Sequence, residues 1–157
     1  MALHLVRHAK AGDPDRRHGP DELRPLTRAG REQAVVLGQA LCDWPITRVL
    51  SSRYTRCIET LTPAAEKLAL PVEAHDALAE EAPLETTWAL LEELTRAGTE
   101  AVLCSHGNVC SAVLDRVHRR GIDVDATEWS CRKGSVWRLE TDNKGAFIKA
   151  VLALPQA

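Results

Sequence analysis

Apolar positions fall along the chain in two alternating patterns, short unbroken runs and stripes at helical spacing. Residues 3–6 form a short apolar run that reads as a buried strand, residues 46–50 read as a second strand, and residues 101–104 as another buried one. From Thr27, a favourable helix N-cap, Ala34, Leu37 and Leu41 recur at helical spacing. A second stripe holds Cys57, Leu61, Ala64, Ala65 and Leu68, with Ser52 read as its cap. Residues 71–73 suggest a brief third strand. Leu90, Leu91 and Leu94 mark another helix stopped by Gly98, and residues 108–119 mark one more. Finally, residues 135–140 and 146–152 flank Thr-Asp-Asn-Lys-Gly, whose Asn143 and Gly145 suggest a hairpin turn.

Helices interleaved with buried strands predict an α/β fold. The expected form is a three-layer α/β/α sandwich around a mostly parallel sheet, with an antiparallel C-terminal edge. At 157 residues and 17.2 kDa, with no repeat or linker, the chain is expected to be one domain over residues 1–157. Residues 9–25 break the alternation: three prolines, two glycines and many charges make them a long loop, often a functional feature.

Charge and composition narrow the function. Twenty basic and 22 acidic side chains give a net charge of -2, against a chain built to wrap nucleic acid. No apolar run approaches the ~20 residues of a membrane span, and the first residues lack a secretory apolar region. The five cysteines form no CxxC pair, so reduced thiols and a cytoplasmic location are expected. Cys57 and Cys104, among apolar neighbours, read as core.

In parallel α/β sheets ligands collect beyond the carboxyl ends of the strands. There the chain places Arg7-His8, Ser51-Ser52 with Arg56 one turn on, Glu80-Glu81, and Ser105-His106-Gly107-Asn108. Each group alone reads as ordinary surface polarity. Together they suit phosphoryl transfer. Arginine holds phosphate oxygens bidentately, and an imidazole beside arginines stays neutral and nucleophilic. A second histidine can donate to the phosphoryl oxygens, while a carboxyl protonates the leaving group and then activates water. Amides around Gly107 at a helix start also favour an anion. The scheme needs no metal or other cofactor, and the histidines lack metal-ligand spacing.

These residues carry a resemblance. The segment Leu5 to Lys10 resembles the signature of the histidine phosphatase superfamily, the phosphoglycerate-mutase-like proteins. Ser51 to Thr60 is similar to its second motif, Leu78-Ala79-Glu80 to its acid segment and Ser105-His106-Gly107 to its second histidine motif. The resemblance implies a phosphoglycerate-mutase-like fold and a phosphoric ester or anhydride hydrolase of the histidine acid phosphatase type. It also implies a phosphohistidine on His8, phosphate held by Arg7, Arg56, His106 and Gly107, and Glu80 as the acid/base with Glu81 its neighbour.

Ala9, the small size and Arg24-Pro25-Leu26-Thr27 resemble the short phosphohistidine-phosphatase branch. Residues 132–137 resemble the phosphatase half of actinobacterial Nudix fusion proteins, which implies nucleotide phosphates. Two departures stand out. Arg53 replaces the proline common in the second motif, and no asparagine follows His8 at the usual place. The retained Glu80 tilts the reading toward phosphate esters or anhydrides.

Further candidates for substrate contact are Arg24, Arg53, Asn108, Arg132 and Lys133. Lys10, Arg16, Arg17 and His18 form either a lid over an anion or a solvated loop balanced by Asp13, Asp15, Asp21 and Glu22. Arg116, Arg119 and Arg120 suit a helix C-terminus, and Trp44, Trp88, Trp129 and Trp137 read as core or rim. The leading expectation is a metal-independent phosphatase acting on a small phosphate ester or a nucleotide. A protein phosphohistidine phosphatase, a mutase and a non-catalytic phosphate-binding protein stay open beside it.

Overall fold

The computed structural model describes residues 1–16, 19–125 and 130–154. A seven-stranded sheet runs in the order β3-β2-β4-β1-β6-β7-β5. Its strands are β1 (Ala2–Arg7), β2 (Arg48–Ser51), β3 (Val72–Ala74), β4 (Ala101–Ser105), β5 (Asp123–Asp125), β6 (Val136–Thr141) and β7 (Phe147–Leu154). The first four are parallel to one another; β6 opposes β1, β7 opposes β6, and β5 lies parallel to β7.

Central strand β4 reads as an almost continuous apolar run because both its faces are covered, and β1 and β2 are buried beside it, whereas the edge strand β3 (Val-Glu-Ala) is only partly buried. Side chains alternate between those faces. Leu3, Leu5, Leu50 and Leu103 pack with α3 (Leu84–Arg96) and α4 (Gly107–Arg119). Val6, Val49, Val102 and Cys104 pack with α1 (Arg28–Leu41) and α2 (Thr55–Leu68). This is the expected three-layer arrangement.

Local signals act where the sequence places them, with two differences. The Thr27 hydroxyl caps α1, accepting from the Gly30 amide at 3.0 Å, and Gly98 leaves α3 at φ +69°. Ser52 does not cap α2: the position before the helix is Tyr54, without a side-chain cap, and the Ser52 hydroxyl is turned to His106. The expected antiparallel pair is β6 and β7, but the sheet's edge on that side is β5. In β5 only Val124 carries an apolar signal between two exposed aspartates, so its pairing with β7 is a tertiary outcome.

The 9–25 loop is pinned onto α1. The amide of Thr27 donates to the Lys10 carbonyl, and the Gln33 side chain accepts from the Lys10 amide. Gly30 permits this approach, since a Cβ there would lie 2.0 Å from the Lys10 carbonyl oxygen. Because β1, β2 and β4 are parallel, Arg7-His8, Ser51-Ser52 and Ser105-His106 emerge at one edge of the sheet. The start of β6 comes to the same edge, where the Arg7 amide donates to the Ser135 carbonyl and the Gly134 amide to the Arg7 carbonyl. Among the described residues, no helix is long and apolar enough to cross a membrane.

Candidate active site

His8 continues the parallel ladder, its amide donating to the Ser105 carbonyl at 3.0 Å, and its side chain is only 6% exposed. Ring nitrogen Nδ1 lies 2.8 Å from the Ala9 carbonyl oxygen. A carbonyl only accepts, so Nδ1 carries the proton and Nε2 keeps its lone pair. Burial pushes the imidazole pKa down to about 4, with Arg56, Arg7 and Lys133 adding to the effect and the Ala9 hydrogen bond opposing it. His8 is therefore neutral at pH 7.

Two arginines flank it. Arg7 donates through Nη1 to the Cys131 carbonyl at 2.8 Å. Arg56, fully buried, donates through Nη1 to the Asp21 carbonyl, and its Nη2 reaches the carboxylates of Asp21 (3.2 Å) and Glu80 (3.3 Å). The Nε–H of each is buried with no hydrogen-bond partner among the described residues. Orphaned donors on charged groups are costly unless an anion takes them up. Gly107, the first residue of α4, adds to this: a Cβ there would fall 2.8 Å from the Arg7 guanidinium carbon. Glycine thus lets a cation lie against the positive end of a helix, an arrangement that an anion between them relieves.

His106, just before α4, is almost wholly buried, its ring centroid 5.6 Å from that of His8. Its Nε2 is 2.9 Å from Ser52 Oγ, and its Nδ1 is 3.5 Å from Arg56 Nη2. Burial, then Arg56 and His8, hold its pKa down to about 3. The Tyr54 ring meets it edge-on at 4.7 Å. Thr60 ties the loop to α2, its hydroxyl accepting from the Ala9 amide and donating to the Arg56 carbonyl.

The adjacent acids differ. Glu81 is clasped by Arg53 and accepts from the Tyr54 hydroxyl at 2.8 Å; chiefly through Arg53, its pKa falls to about 2. Glu80 lines the cleft, half-exposed, with Arg56 at one carboxylate oxygen. Asn108 donates its side-chain amide to the Glu80 carbonyl at 2.8 Å, so it braces the acid segment.

The cleft holds about 380 Å³ and is lined by Arg7, His8, Arg24, Arg56, Glu80, His106, Gly107, Asn108 and Lys133, together with loop residues 11–14. Arg24 donates to Asp21 at 2.8 Å and to the Gly12 carbonyl. Lys133 feels burial first and then Arg7, Arg24 and Lys10, all lowering its pKa, so Arg7 and Arg24 of the lining and Lys10 beyond it add positive charge around Lys133.

Other expected residues lie elsewhere. Arg53 is outside the lining, held by Glu22, Glu81 and Asp76. The Arg132 carbonyl accepts from the Ser135 amide, shaping the turn before β6. Arg16 pairs with Asp13 on the surface, whereas Arg17, His18 and Trp129 fall outside the described residues. Trp88 and Trp137 are core, and Arg116 and Arg120 stack on Trp88. Cys57, read as core, is buried but also lies 3.6 Å from His106 Nε2. Sequence reasoning missed Asp21, Tyr54, Thr60 and the role of Ser52; their signal was nearness to the second motif and to the charged loop. Among the described residues, no group of three or more His, Cys, Asp or Glu is placed to hold a metal ion.

A sequence profile of the histidine phosphatase superfamily (branch 1) matches residues 3–84, and the chain belongs to that family. An 8-oxo-(d)GTP phosphatase of Mycolicibacterium smegmatis is 33% identical over 139 residues, which are 86% of this chain and 42% of that protein. The chain thus spans less than half the length of that relative. In fold, it is similar to the protein histidine phosphatase SixA complexed with tungstate (TM-score 0.76, 23% identity, 96% of each chain). It is also similar to a mycobacterial glucosyl-3-phosphoglycerate phosphatase in complex with VO3 (TM-score 0.75, 17% identity, 99% of each chain).

Proposed function

We propose that the chain is a metal-independent phosphatase working through a phosphohistidine on His8. The observation that carries this is a neutral, tautomerically locked imidazole beside two buried guanidinium Nε–H groups without partners. In the proposed reaction, Arg7, Arg56, His106 and the amides at Gly107 hold the phosphoryl oxygens. His8 Nε2 attacks phosphorus as the bond to the leaving oxygen breaks, and Glu80 protonates that oxygen. Glu80, now a carboxylate, takes a proton from water, whose oxygen attacks the phosphohistidine and frees His8 and inorganic phosphate.

A substrate carrying more than one phosphate, such as a nucleoside di- or triphosphate, is the reading we favour. Lys133, Arg24 and Lys10 extend the positive charge beyond what one phosphoryl group needs, and the retained Glu80 suits ester or anhydride leaving groups. The likeness to a nucleotide phosphatase supports the same choice. A phosphohistidine on a protein is the second reading. It is favoured by the described cleft lining, which holds no Phe, Tyr or Trp side chain to stack a base.

Phosphate release by wild type and His8→Ala, with chelator, from an aryl phosphate, nucleoside di- and triphosphates and a phosphohistidine peptide tests both. The variant is expected to lose release entirely, with nucleotides preferred. Release surviving in His8→Ala would overturn the mechanism. Preference for the peptide would select the second reading, and tight phosphate binding without release would make the protein a binder.

A further inference from the structure

We infer that Ser52 is a positioning residue that sets the tautomer of His106, presenting Nδ1–H to the phosphoryl group. This rests on the phosphatase reading of the site. His106 turns Nδ1 toward Arg56 and the cleft, and Nε2 inward to Ser52 Oγ. Only a proton on Nδ1 lets the ring donate to a phosphoryl oxygen; a lone pair there would face the substrate's negative charge.

Two arrangements of the ring proton compete. In one, Arg56 donates to Nδ1 and Nε2–H donates to Ser52. That hydrogen bond to Nδ1 would be 3.5 Å long. Ser52 would then accept from both Nε2–H and the Tyr54 amide, leaving its own hydroxyl proton, wholly buried, with no acceptor in reach among the described residues. In the other, the Ser52 hydroxyl donates to Nε2 at 2.9 Å while its oxygen accepts from the Tyr54 amide at 3.3 Å. Every group at Ser52 is then satisfied, and Nδ1 carries the proton. The first arrangement strands a wholly buried hydroxyl, which is costly, whereas in the second Arg56 Nη2 is taken up by Asp21 and Glu80 and the Nδ1–H faces the cleft, where solvent or a phosphoryl oxygen accepts it. Among the described residues, the hydroxyl is the only group near Nε2 that can donate strongly. The Cys57 thiol, at 3.6 Å, is a weak donor or acceptor and accepts from Nε2–H when Ser52 is gone.

The His106 pKa is held near 3, so at neutral pH its single proton must already sit on the correct nitrogen. Removing the hydroxyl by Ser52→Ala releases Nε2, which then keeps the proton and leaves Nδ1 as an acceptor.

The test combines nitrogen NMR of the His106 ring, in wild type and Ser52→Ala without substrate, with steady-state kinetics on an aryl phosphate. Wild type is expected to show the Nδ1–H tautomer and Ser52→Ala the Nε2–H tautomer. In the variant kcat falls about 10- to 100-fold, and KM for the aryl phosphate changes less, because the lost donor acts chiefly on developing charge. Ser52→Thr, which keeps the hydroxyl, restores both the tautomer and most of kcat. An Nε2–H tautomer in wild type overturns the proposal even if no variant folds. So does an unchanged tautomer in Ser52→Ala. The spectra read Ser52 independently of turnover, so a wild type that releases no phosphate would defeat the phosphatase reading and leave this one standing on its own measurement.

Discussion

Arg53 and the Tyr54 hydroxyl both hold the Glu81 carboxylate, whereas Glu80 meets only the edge of the Arg56 guanidinium and faces the cleft. A carboxylate held near pKa 2 is a poor proton donor, which leaves the proposed acid/base role to Glu80. Glu80→Gln is therefore expected to lower kcat on an alkyl phosphate by roughly 10²- to 10³-fold, with a smaller loss on an aryl phosphate, whose leaving group needs less protonation. Glu81→Gln should change kcat by less than about fivefold, since the pair it breaks is exposed. Steady-state kinetics on both substrates check this; equal losses in the two variants would contradict the assignment. Sequence could not divide these neighbours, because what separates them is which cation the backbone turns each toward.

At the scale of elements, α1 and the 9–25 loop form one unit. Gly30 in the first turn of α1 is buried under the Lys10 carbonyl, so the usual gain of alanine over glycine in a helix does not apply there. Gly30→Ala is expected to lower stability by about 2 kcal/mol, read from the urea midpoint, and to raise KM as the loop carrying Gly12 and Arg24 is lifted. A stabilised variant would show that the loop yields freely. The helices themselves were legible because their buried stripes, the Thr27 cap and the Gly98 stop are local signals. Ser52 looked like a cap for the same local reason, and only its fully buried contact with His106, 54 residues away, shows otherwise. Strand β5 had only Val124 as a local signal, too little to mark a strand.

Across the whole molecule, three histidines on the parallel half of the sheet, His4, His8 and His106, are buried and held below their ordinary pKa, in each case chiefly by desolvation. Their folded pKa values are depressed, so as pH falls below about 6.5 the unfolded chain takes up these protons first. Stability is thus full above that point and declines toward pH 4; His8, with its pKa near 4, accounts for about 3 kcal/mol. Urea titrations between pH 7 and 4 should show the decline. His4→Leu should shallow it while leaving phosphate release unchanged, because His4 sits away from the cleft against Trp44 and Glu100. A stability flat from pH 7 to 5 would contradict the burial of these rings. What the sequence by itself determined was the alternation of elements and the set of residues at the strand ends, since hydrophobic period, caps and motif spacing are written in neighbouring positions. The tertiary structure alone decided the sharing of charge: Asp21 on Arg24 and Arg56, Arg53 spent on carboxylates, Ser52 on His106, and β5 on β7. Those choices depend on which parallel strand ends lie side by side and which donors remain buried without partners, and no local pattern encodes distances between residues so far apart in the chain.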